Sequence, residues 1–128
     1  MSGFGAAVIE GKRRLVSLKP ANTSEATIFT AGQYGATVLA IAICNNTGSS
    51  VGATVRWRDT SATTDWDIIS AKLIAANDTG YINELVLPLR NTDLIKVTSA
   101  TGNALTFTLL IAEPLSATTG GRYDLAGA

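Results

Sequence analysis

The chain has 128 residues, of which 46% are hydrophobic and 16% charged, and its formal net charge is zero. That length holds one domain with its own core, and the charged fraction lies well below the roughly 25% of an ordinary globular domain. Neutrality excludes a protein that works through a strong overall field on nucleic acid or an anionic membrane, and so low a charge suits a subunit packed into an assembly.

The opening segment, MSGFGAAVIEGKRR, carries its positive charges after a weakly apolar stretch, the reverse of a secretory signal. Residues 15–19 read as a first strand ended by Pro20, and 26–30 as a second closed by Ala31-Gly32. In the third, 37–44, Thr37, Leu39, Ile41 and Ile43 alternate with Val38, Ala40, Ala42 and Cys44. With both faces apolar, this strand is expected to be central and covered on both sides, or to face a neighbouring subunit. The fourth, 51–58, sets Val51, Ala53, Val55 and Trp57 on one face and Gly52, Thr54, Arg56 and Arg58 on the other. The turn 45–50 makes strands three and four read as a hairpin.

A polar loop, 59–65, leads to Trp66-Asp67-Ile68-Ile69, and 70–77 reads as either a strand or a single helical turn. Residues 81–89 form a further strand, with Pro88 marking an edge or an ending. Residues 93–98 and 104–112 read as a closing hairpin, with Leu105, Phe107, Leu109 and Ile111 sharing one face. The tail, SATTGGRYDLAGA, has linker composition. About eight short strands separated by Gly, Asn and Thr turns predict an all-β, antiparallel, jelly-roll-like β-sandwich. It is expected over residues 15–114, with extended arms at 1–14 and 115–128.

Chemistry-bearing patterns are scarce. The chain has no histidine, which excludes Ser-His-Asp and Cys-His nucleophile systems within it. A single cysteine forms no internal disulfide, and Cys44 in its apolar strand is expected to be buried filling, inert to thiol reagents. Asp59, Asp65, Asp67 and Asn77-Asp78 could offer oxygen ligands to calcium, but the EF-hand spacing is absent and loop-forming roles are expected. Gly32, Gly35, Gly48 and Gly52 fall in turns or between strands with no helix following, so no phosphate loop is present. The Asn-x-Ser/Thr triplets at Asn22, Asn45 and Asn77 read as turns. The longest strongly apolar run, 38–44, is far short of the ~20 residues of a membrane span. These features predict a soluble, non-enzymatic protein with no cofactor, metal, nucleic-acid or membrane partner. Trp57 and Trp66 are expected to be structural. The expected partner contacts are the basic cluster Lys12, Arg13 and Arg14, the exposed Arg56 and Arg58, and Arg122 with Tyr123 in the tail.

The run TIFTAGQYGATVLAIAICNNTGSSVGATVRW resembles a pattern of small tailed-phage virion proteins. There a "tiyTvpaGk" strand and turn precede an apolar strand ending in "cN", a Thr/Gly/Ser turn and a "vtVrv" strand. LRNTDLIKVTSATGNALTFTLLIAE resembles the same proteins' ending, "l.l..gD.i.v.s..g....v.v.v.e". Together they cover residues 26–113. Ala31 stands where the pattern has proline, and Asn91-Thr92-Asp93 replaces its Gly-Asp turn, both keeping turn chemistry. The resemblance implies a β-sandwich structural protein of a tailed bacteriophage virion, made in the host cytoplasm. It leaves open which virion part this is; the low charge, the two-faced apolar strand and the terminal arms point to a capsid decoration or cement protein bound to the major capsid protein or its neighbours as a homo-oligomer, with a trimer expected. A neck or tail component and a glycan-binding module are the alternatives.

Overall fold

The structure, a computed structural model, describes residues 12–114. They form nine strands: β1 Lys12–Leu18, β2 Ala26–Thr30, β3 Ala36–Asn45, β4 Val51–Asp59, β5 Thr64–Ile74, β6 Asp78–Ile82, β7 Leu87–Leu89, β8 Leu94–Ser99 and β9 Leu105–Glu113. One sheet (sheet A) has the order β1-β9-β3-β6, with β7 also pairing β3, and the other (sheet B) the order β2-β8-β4-β5. All pairings are antiparallel. β6 and β7 pair successive segments of β3 and are one interrupted strand, so the plan is an eight-strand, jelly-roll-like sandwich as expected.

Two expected hairpins are corrected. β3 and β4 lie in opposite sheets, as do β8 and β9, so the chain crosses the sandwich at residues 46–50 and again at 100–104. Only β4 and β5 pair with each other across a single turn. Period-2 alternation says which side chains point inward, and that pattern is the same whether the next strand pairs alongside or crosses over. The first strand starts earlier than expected, so Lys12, Arg13 and Arg14 belong to β1 rather than to an arm. The remainder of the expected arms, 1–11 and 115–128, lies outside the described residues, and Arg122 and Tyr123 with it.

Irregularities account for the ambiguous segments. In β3 a register shift between Val38 and Ala40 makes Leu39 an extra residue. Val38 therefore joins Ile41 and Ile43 in the core, and Ala40, Ala42 and Cys44 face outward. The Leu39 carbonyl accepts from Leu85 N–H at 3.2 Å, within the break between β6 and β7, so bulge and interruption are matched. The stretch that read as strand or helical turn is strand as far as Ile74, with Ala71 at φ 49°. Ala71 N–H leaves the ladder for Thr54 Oγ1 at 3.1 Å.

The core is filled from both sheets by inward rows, among them Leu105, Phe107, Leu109 and Ile111 of β9 facing Val55, Ile95 and Val97. Each such side chain contributes about 1.5–3 kcal/mol by leaving water. Two buried polar residues close the ends. At one end Asn45, 1% exposed, donates from Nδ2 to the carbonyls of Ser49 at 2.8 Å and Ile74 at 2.9 Å. Its Oδ1 accepts from Thr47 N–H at 2.9 Å and Thr47 Oγ1 at 2.7 Å. At the other end Asp93, 2% exposed, accepts from Arg90 N–H at 3.0 Å, Thr60 N–H at 3.2 Å and Trp57 Nε1 at 3.3 Å. Gly35, at φ 76° beside this second end, is obligatory, because a Cβ there would stand 2.5 Å from the Leu89 carbonyl oxygen.

Candidate interaction surface

The two sheets present opposite chemistry to the outside. On sheet B, Arg56, Arg58 and Lys96 stand among Glu25, Asp65 and Asp67. Arg56 pairs with Asp67 at 2.8 Å and Glu25 at 3.7 Å, and Arg58 with Asp65 at 3.4 Å. Lys96 bridges Glu25 at 3.5 Å and Asp65 at 3.3 Å. Three cations thus meet three anions, and the face neutralises itself. The hydrogen bond and charge of Asp67 raise the Arg56 guanidinium above its ordinary pKa. Burial alone would raise the Asp65 carboxyl, but Lys96 and then Arg58 outweigh it and hold the group below the usual aspartate range. Asp65 Oδ1 is a buried oxygen with no aligned hydrogen bond, facing the Lys96 ammonium as an ion pair. Arg56 and Arg58, expected as partner contacts, lie outward as foreseen but are engaged within the chain.

The outward side of sheet A forms a grid whose rows follow from the strand register. One row is Arg13, Ala112, Thr37 and Pro88, and the next is Leu15, Leu110 and Ala40. A third is Ser17, Thr108, Ala42 and Tyr81, and a fourth Thr106, Cys44 and Thr79. The Ser17 and Thr108 hydroxyls lie 2.9 Å apart on this face. Only Arg13, at a corner, carries charge. Leu15 is 67% and Tyr81 64% exposed, and between them runs a shallow groove floored by Ala40 and Ala42. Cys44 is exposed here, which corrects its expected burial. Ile41 and Ile43 take the core side of β3, so Cys44 lies on the opposite side, which no second layer covers among the described residues.

The basic cluster divides. Arg14 Nε donates to Glu113 Oε1 at 2.9 Å, and its guanidinium lies 5.7 Å from the Phe29 ring centroid, closing the gap between β1 and β2. Lys12 and Arg13 are exposed beside it on the edge strand.

No protein-family model matches the chain, and no curated protein is similar to it by sequence. Among solved structures, it is similar to a chain of the Bacillus endospore appendages, a family of disulfide-linked pili, at 13% identity and a TM-score of 0.53. That match covers 82% of this chain and 87% of the other. It is also similar to a chain from the acid-stable capsid of Helicobacter pylori bacteriophage KHP30, at 9% identity and a TM-score of 0.50, over 80% and 87% of the two chains. What is shared is the fold.

The carboxylates weighed as calcium ligands are otherwise engaged. Asp59 accepts from the Ser61 hydroxyl and Ala62 N–H, which lower its pKa and shape the β4–β5 turn. Asp78 Oδ1 accepts from Thr79 N–H, and Asp65 and Asp67 belong to the ion network. Among the described residues no three carboxylate or thiol side chains gather as a metal site. Trp57 packs against the core as expected, whereas Trp66, its cross-strand partner, is 52% exposed.

Proposed function

We propose that this chain is a non-enzymatic structural protein of a tailed-phage virion, a capsid decoration or cement protein that stabilises the shell through contacts bridging its subunits. One observation carries the reading: the sandwich leaves the outer face of sheet A apolar and almost uncharged while the outer face of sheet B satisfies its own charges. Large exposed side chains set around a small-residue groove are a surface suited to burial against protein. The sequence pattern of phage virion proteins and the fold shared with a phage-capsid chain support the same direction.

In this reading the partner is the major capsid protein or a neighbouring virion protein. Lys12, Arg13 and the terminal segments 1–11 and 115–128, with Arg122 and Tyr123, reach the shell. Binding only to the assembled state stabilises it by mass action, by about 2.7 kcal/mol per site when free protein is 100-fold above its dissociation constant. Quantitative mass spectrometry and cryo-electron microscopy of the phage particle test the proposal. Copies spread over the whole shell are expected, and a dozen or fewer confined to one vertex would replace the cement role with a neck or tail role.

A further inference from the structure

From the register of sheet A we infer that the occupant of its outer face is a second copy of this chain, packed face to face about a two-fold axis. The inference rests on the reading that this face is an assembly contact. A two-fold axis along the strands, midway between β9 and β3, sets β1 over the partner's β6 and β9 over the partner's β3. Residues in one row then meet residues of the same row in the other copy. Tyr81 falls over Ser17 and Leu110 over Ala40, so each large side chain meets a small one. Leu15 falls over the segment that follows Ile82, where Asn83, the polar residue lining the groove, is its counterpart. The face holds no carboxylate in its four rows, and its one cation sits at a corner, so a copy of itself meets no like-charge repulsion across the middle. The sheet B face would instead need its ion pairs buried or rearranged to accept a partner.

Four strands about 4.8 Å apart, each giving about seven residues at 3.4 Å, make a face of about 450 Å². Two such faces bury about 900 Å² before side-chain relief is counted, close to the roughly 1,000 Å² at which specific interfaces begin. The pair is therefore concentration-dependent. It is also two-fold, in place of the trimer expected of a cement protein.

Cys44 makes the pairing directly testable. Packed sheets stand about 10 Å apart, and this axis brings the two Cys44 thiols toward one another on neighbouring lines. Sedimentation equilibrium of the full chain from micromolar to millimolar concentration should show twice the monomer mass of 13.3 kDa. A short bismaleimide should join the two copies through Cys44. Ala42→Arg and Tyr81→Glu, both at outward positions, should weaken the dimer at least tenfold while leaving unchanged the far-ultraviolet circular dichroism and the melting temperature measured at submicromolar concentration, where the wild type is itself monomeric. A monomer whose Ala42→Arg variant leaves the phage particle overturns the second copy but keeps the face as a virion contact. A monomer whose variant keeps full occupancy overturns both. A trimer, or a dimer indifferent to both substitutions, overturns the pairing.

Discussion

Replacing Asn45 by alanine tests whether one buried side chain holds an end of the sandwich together. The native amide bridges three segments: the β3–β4 crossing through Thr47 and Ser49, its own strand, and the end of β5 through Ile74. Asn45→Ala removes five hydrogen bonds, four of them between 2.7 and 2.9 Å, and leaves the Ile74 carbonyl and the Thr47 N–H to find water, while the Ser49 carbonyl keeps the Thr47 hydroxyl. At about 1 kcal/mol net for each bond, with some recovered where water enters beside the exposed loop, the loss is about 3 kcal/mol. That is a large part of the 5–15 kcal/mol typical of a domain and corresponds to a fall of about 10–20 °C in melting temperature. Asn45→Asp is the sharper probe. It keeps both acceptor bonds from Thr47 but turns a carboxylate toward two carbonyl oxygens, so at neutral pH it should destabilise at least as much as alanine. Its deficit should shrink in acid, where a protonated carboxyl can donate to one of those carbonyls. Urea denaturation at pH 7 and pH 4 measures both variants. A loss below 1 kcal/mol for Asn45→Ala, or an aspartate variant indifferent to pH, would refute the assignment of this residue as the clamp.

Asp93→Ala at the opposite end should cost about 2–4 kcal/mol by the same reasoning, and losing the bond to Trp57 Nε1 should shift the tryptophan fluorescence. Cys44 should react with a maleimide in the native protein at submicromolar concentration as fast as a small-molecule thiol, and protection there would contradict its outward placement. Asp59 and Asp65 both have lowered pKa values in the folded chain, so their contribution is complete above the unfolded aspartate value of about 3.9 and is lost as pH falls through the folded values. An acid titration of stability should therefore decline below about pH 4, and Asp59→Asn combined with Asp65→Asn should flatten that decline.

Much of the core could be read from the chain because inward residues follow strict alternation. β4 and β9 have no bulge that reverses their own alternation, and Val51, Ala53, Val55 and Leu105, Phe107, Leu109, Ile111 all point inward as the spacing predicts. Alternation failed where a residue was inserted. Leu39 brought Val38 to the side of Ile41 and Ile43 against the simple alternation, and the extra residues of β5 around Ala71 hid a strand behind an apparent turn. Nothing in a period of two marks such insertions, because they are set by which partner strand lies alongside. The same limit turned two crossings into apparent hairpins.

Topology also decides what Asn45 and Asp93 do and what each face means. Both residues occur in the quoted virion pattern, as the "N" closing one strand and the "D" opening another, yet short polar residues at strand ends read locally as turn formers. They become clamps because the crossings bring distant backbone to them: Ile74 lies 29 residues from Asn45, and Thr60 33 residues from Asp93. The partition of charge has the same origin. Glu25, Arg56, Arg58, Asp65, Asp67 and Lys96 come from well-separated places in the chain, and each alone reads as a solvated surface residue. Only the sheet order β2-β8-β4-β5 collects them into one neutral face. The order β1-β9-β3-β6 likewise gathers Leu15, Leu110, Ala40, Ala42 and Tyr81 on the other, although each is unremarked in its own strand. Arg56 with Arg58, a candidate contact that looked basic in the sequence, is therefore charge-balanced within the chain, and the face behind it is the uncharged one.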